Sequence, residues 1–155
     1  MKKLRIYIDT SVFGGCFDDE FSEDSNRFIK TIRKMGHIII LTELIKLELE
    51  NAPLVVKNLY HSLSQTNIEN VNLTKEVLEL RDQYIKARIV GIQALTDATH
   101  IAAATVFNAD VLVSWNFKHI VNYDKIRKYN AVNLMNGYQQ LEIRTPKEMI
   151  YDEKK

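Results

Sequence analysis

The chain has 155 residues, is 46% hydrophobic and 26% charged, and sets 21 Lys and Arg against 20 Asp and Glu for a net charge of +1. That length predicts one domain, over residues 1–150 with a polar tail at 151–155, and a core that needs no staples. A lone Cys16 excludes a disulfide scaffold and a Cys-based zinc site, the near-neutral balance excludes a global pull toward polyanions, and no apolar run reaches the ~20 residues of a membrane span.

In chain order, the opening is basic and then apolar but meets Asp9 too soon for a signal peptide, so a cytoplasmic location is expected. Leu4 to Ile8 reads as a short buried strand ending at Asp9, and Thr10 to Glu20, with Gly14 and Gly15, as a loop. Phe28, Ile29, Ile32 and Met35 recur at helical spacing from about Asp24, and Gly36 supplies the stop. His37 to Leu41 is a second buried strand, after which Thr42 caps a helix to about Glu50. Pro53 opens another helix, Ile68 to Leu73 is a short strand, and Thr74 caps a helix to about Ile89. A helix over Thr96 to Asn108, a strand over Val111 to Ser114, a loop over Trp115 to Ile120 and a helix from Tyr123 to Asn136 follow. Leu141 to Arg144 is a last strand, before a turn at Pro146.

Short continuous apolar strands alternating with helices predict a three-layer α/β/α architecture with a central, mainly parallel sheet. Ligands in such sheets sit beyond the carboxyl ends of the strands. Asp9, Thr10 and Ser11, Thr42, and Ser114 and Asn116 therefore come first among candidates.

Three acids occupy positions a fold has little reason to give them. Asp9 ends a strand that should be central, although a turn aspartate bonding its own backbone is the rival reading. On the helix after Thr42, Glu43, Lys46 and Glu50 share a solvated face, whereas Glu48 falls in the apolar stripe beside Leu44 and Ile45. Glu48 is either a rim carboxylate reaching water or a buried acid that needs a cation. Asp97 shares an azimuth with Ile101 and Ala104, though acids suit a first helical turn in any case. Gathered carboxylates repel one another unless a divalent ion neutralises them, and oxygen ligands favour Mg²⁺ or Mn²⁺ over zinc. Such an ion can activate water against a phosphodiester.

Asp9-Thr10-Ser11, the TELIKLEL segment around Glu48, Asp97-Ala-Thr-His-Ile-Ala-Ala-Ala and Ser114-Trp-Asn116-Phe-Lys-His119 resemble, in order and spacing, the motifs of the PIN-domain family. The resemblance covers essentially the whole chain. It implies a Mg²⁺- or Mn²⁺-dependent ribonuclease like the VapC-type toxins, with RNA as substrate, a cognate antitoxin as partner and a homodimer as assembly. It implies metal-binding roles for Asp9, Glu48 (with Glu43 the alternative) and Asp97, and hydrogen-bonding roles for Thr10 or Ser11, Ser114 and Asn116. The sequence departs from the family at the fourth acid, where His119 stands. His119 is a poorer ligand for Mg²⁺, a proton donor to the leaving oxygen, or a surface bystander.

His100, one turn beyond Asp97, is either its partner in a ligand pair or a core histidine bonded to backbone. Lys118 is placed to hold RNA phosphates, while Lys125, Arg127 and Lys128 read as a solvated face. Trp115 is a lid over the core or a surface for a stacked base. Two rival functions remain: a PIN-like RNA- or protein-binding module whose catalysis is weak or lost through His119, and a receiver-like domain phosphorylated at Asp9. The second lacks the acid pair expected there, since Ile8 precedes Asp9.

Overall fold

A computed structural model describes residues 3–63 and 67–150. The expected tail at 151–155 lies outside the described residues. Five strands, β1 (Arg5–Ile8), β2 (Ile38–Thr42), β3 (Ile68–Val71), β4 (Val111–Val113) and β5 (Glu142–Arg144), form one sheet in the order β3-β2-β1-β4-β5. Every pairing is parallel, with Ile6 opposite both Ile39 and Val111.

Between β1 and β2 lie α1 (Thr10–Gly15) and α2 (Ser22–Met35); between β2 and β3 lie α3 (Glu43–Leu49) and α4 (Leu54–Leu63). From β3 the chain passes through α5 (Lys75–Lys86) and α6 (Leu95–Val106) to β4, and through α7 (Tyr123–Met135) to β5. The first two crossovers step one way across the sheet and the last two step the other way. Right-handed crossovers then place the two sets of helices on opposite faces. The packing agrees, since α1 lies against α2, α3 and α4, while α5 lies against α6 and α7. This is the expected three-layer α/β/α architecture.

Burial on both faces accounts for the unbroken apolar strands, with Ile6, Ile8, Ile39, Ile40, Leu112 and Val113 in the core. Tyr7 is the exception, a fully buried phenol in the middle strand. α6 is buried almost throughout because its run of alanines allows close approach to the sheet.

The residues after Asp9 depart from the expected loop. Thr10–Gly15 is helical, starting directly from an extended Asp9. Burial of Val12 and Phe13 outweighs the helix cost of the two glycines. Gly15 also has a packing reason, because a Cβ there would lie 2.7 Å from Ser25 Oγ and 2.8 Å from the Trp115 ring. Thr42 differs as well. It precedes α3 but makes no side-chain cap, and its hydroxyl instead meets Tyr7 Oη at 3.1 Å.

Candidate active site

Because β2, β1 and β4 are adjacent and parallel, their carboxyl ends set Thr42, Asp9 and Ser114 side by side. The strand order reverses direction at β1 and β4, the place where open α/β sheets leave a crevice. Asp9 is buried there, its backbone N–H donating to Val113 O at 3.0 Å. One carboxylate oxygen, Oδ2, accepts from Ser11 Oγ at 2.8 Å and from Ser114 Oγ at 2.7 Å. The same two hydroxyls accept backbone N–H groups, Ser11 Oγ that of Trp115 at 2.9 Å and Ser114 Oγ that of Asn116 at 2.9 Å. Asp9 is thus fixed from the start of α1 and from the loop after β4, with Oδ1 left facing the interior of the cluster.

Glu48, near the end of α3, sends Oε1 to Thr10 Oγ1 at 2.9 Å and to His100 Nε2 at 2.5 Å. Its side chain keeps 31% of its surface exposed. It is therefore a rim carboxylate turned inward, not a fully buried acid. Glu43 points elsewhere and accepts from the Leu73 N–H at 2.8 Å. His100, in the middle of α6, is fully buried, with Nε2 also 3.5 Å from Asp9 Oδ1. Its other nitrogen, Nδ1, lies 2.7 Å from Tyr7 Oη.

Donor atoms of Asp9, Glu48 and His100 all lie within 4.8 Å of one another, a grouping that could hold a metal ion. Asp97, half-buried in the first turn of α6, stands outside that grouping but within electrostatic range of Asp9 and His100. Burial holds its carboxyl above the ordinary range against a hydrogen bond with Asn116, and the charge of Asp9 adds to the rise. Burial opposes the charge on His100, yet the hydrogen bond to Glu48 and the charges of Asp9, Glu48 and Asp97 outweigh it, so its proton affinity is raised. Glu48 moves the other way. Burial raises its carboxyl, but His100 and the Thr10 hydroxyl bring the net below the usual value.

No protein-family model matches the sequence, and neither does any curated protein. Several solved chains share its architecture, among them these two. A chain of VapBC2 from Rickettsia felis, solved bound to a DNA fragment from their promoter, matches with a TM-score of 0.59 at 14% identity, over 92% of this chain and 98% of that one. A chain of FitAcB from Neisseria gonorrhoeae matches with a TM-score of 0.56 at 16% identity, over 91% and 97%. The fold is PIN-like.

In this PIN-like frame His119 stands beside the acids without joining the metal-competent grouping found among the described residues. Its Nδ1 accepts from Lys125 Nζ at 3.2 Å, and the same ammonium donates to Lys118 O at 3.0 Å. Burial first, and then Lys125, lower its proton affinity. A neutral imidazole held this way is a weak proton reservoir. Asn116 holds the turn by accepting the His119 N–H at 3.0 Å. Trp115 covers the core instead of lying open, stacked on Phe21 with ring centroids 4.4 Å apart and donating to Ser25 Oγ at 2.7 Å.

A cavity of about 500 Å³ opens next to His119, lined by Arg88, Lys118 and Lys125 among others. Lys125, expected on a solvated face, therefore lines a basic hollow. No local pattern in the sequence singles out Arg88, which enters the cavity wall from a left-handed backbone position with φ 60°. Tyr7 is equally inconspicuous, although a tyrosine within a run of isoleucine is a usable sign.

Proposed function

We propose that this chain is a metal-dependent endoribonuclease that hydrolyses RNA phosphodiesters, and that it acts as the toxin of a type II toxin–antitoxin pair. The single observation that carries the reading is the convergence of the Asp9 carboxylate, at the end of β1, and the Glu48 carboxylate, from α3, at the switch-point crevice. The donor set fits a divalent ion, Mg²⁺ or Mn²⁺: two converging carboxylates, one braced by hydroxyls, with His100 beside both and Asp97 close enough to contribute charge. When bound, such an ion would lower the pKa of a coordinated water and neutralise charge on the phosphate.

The chain's own residues do the rest. Ser11 and Ser114 orient Asp9, Thr10 orients Glu48, and Asn116 bonds Asp97 while holding the turn that carries His119. Lys118, Lys125 and Arg88 make the adjoining hollow attractive to the next phosphate of a polynucleotide. The likeness to chains of VapBC2 and FitAcB supports a cognate antitoxin as partner. Exposed Leu54 and Val55 on α4 support a homodimer face within Pro53 to Ile89.

The test is cleavage of a single-stranded RNA with Mn²⁺, with Mg²⁺ and with EDTA. Wild-type cleavage should need the ion, and Asp9→Asn should reduce it by at least about 100-fold, beyond the 10–100-fold typical of losing an outer-shell partner. EDTA-resistant wild-type cleavage refutes the reading. The tie between His119 and Lys125 favours a second reading, a binding module short of one acid. A large gain in turnover from His119→Asp would support it.

A further inference from the structure

We propose that His100 Nε2 is itself a ligand of the bound ion, beside Asp9 Oδ1 and Glu48, and that the site therefore prefers Mn²⁺ and other transition ions to Mg²⁺. The inference rests on the divalent-metal reading above and deepens it.

His100 is completely buried, and both ring nitrogens are committed. On the outer side, Nδ1 meets Tyr7 Oη at 2.7 Å, and Tyr7 Oη meets Thr42 Oγ1 at 3.1 Å. Tyr7 is itself fully buried, so its phenol finds its partners among these side chains. That phenol can accept the Nδ1 proton and donate its own to Thr42. When an ion displaces the Nε2 proton that His100 shares with Glu48, Nδ1–H donating to Tyr7 is the tautomer that leaves a lone pair on Nε2, the outer-shell arrangement typical of metal-ligating histidines.

On the inner side, Nε2 faces only carboxylate oxygens, at 2.5 Å from Glu48 Oε1 and 3.5 Å from Asp9 Oδ1. An ion bonded at about 2.1 Å to each of two ligands holds them roughly 3 Å apart. The Asp9 separation already accommodates such an ion. The Glu48 separation must open by about half an ångström on the same basis, and Glu48 is the partly exposed member on a seven-residue helix. Asp9 Oδ2 is occupied by two hydroxyls, so Oδ1 is the oxygen left for the ion. Imidazole suits first-row transition ions, whereas Mg²⁺ takes oxygen ligands and dehydrates reluctantly.

The experiment titrates the whole chain with Mn²⁺ followed by electron paramagnetic resonance, records ¹⁴N couplings of the bound ion by electron spin echo modulation, and repeats the titration in competition with Mg²⁺. Imidazole ¹⁴N coupling is expected in the wild type and in His119→Asn, and should vanish in His100→Gln. That variant should lose roughly tenfold or more in Mn²⁺ affinity and about threefold or less in Mg²⁺ affinity. Bound Mn²⁺ without nitrogen coupling in the wild type overturns the inference and leaves the carboxylate metal site standing. Absence of Mn²⁺ binding overturns both. The wild-type spectrum decides even if His100→Gln does not fold.

Discussion

Asp9 shows how much of the proposed site depends on groups that hold a carboxylate in place. Its Oδ2 is held by Ser11 and Ser114, the latter 105 residues away in sequence. Ser114→Ala should leave the fold intact and weaken Mn²⁺ binding by roughly 10-fold, as loss of an outer-shell partner does, read by calorimetric titration. The raised His100 gives a signed pH dependence in EDTA. A histidine whose folded value exceeds 6.5 contributes stability below that pH and loses it as pH rises through the folded value. The depressed Glu48 contributes above 4.5 and is lost as pH falls through its folded value. Metal-free protein should therefore have a higher urea midpoint at pH 6 than at pH 9, and His100→Gln should shrink that difference. Asp9 and Glu48 are legible in the sequence because an acid at a strand end or in an apolar stripe is locally anomalous. The part played by His100 is not, because its partner Tyr7 lies 93 residues away and no local pattern joins them.

Packing between elements decides which local preferences survive. Gly15 lies where α1 meets Trp115 and Ser25, so Gly15→Ala must displace backbone or ring and should cost about 1–3 kcal/mol, measured by chemical denaturation. Across the sheet, Tyr84 of α5 donates to Asn133 of α7, whose amide reaches Thr105 of α6 at 3.3 Å. Asn133→Ala strips a buried phenol of its acceptor and should cost about 1–3 kcal/mol, lowering the urea midpoint without changing metal affinity. The strands and longer helices are readable because apolar runs and caps are local signals, as in the Thr74 hydroxyl accepting the Val77 N–H at 3.2 Å. Helix α1 is not, since two glycines mask a turn whose cause is the burial of Val12 and Phe13 by distant elements.

At the scale of the molecule, a net charge of +1 conceals a sharp local division. Acids gather at the crevice while Arg88, Lys118 and Lys125 line the hollow beside it. Composition could not show this, because Arg88 reaches the hollow only once α5 and α6 are in place. Lys118→Ala combined with Arg88→Ala should weaken binding of a single-stranded oligonucleotide and reduce its salt slope by roughly 0.7 for each phosphate no longer neutralised. Among the described residues no helix is long and apolar enough to cross a membrane. The parallel architecture is legible in the alternation of strand and helix, and the meeting of residues 9 and 48 follows from the strand order. The central claim is that this meeting exists to hold a divalent ion. Crystals soaked in Mn²⁺ and measured at the manganese edge test it most directly. An anomalous peak about 2.0–2.3 Å from carboxylate oxygens of Asp9 and Glu48 is predicted; a fully soaked crystal with no peak in that crevice would contradict it.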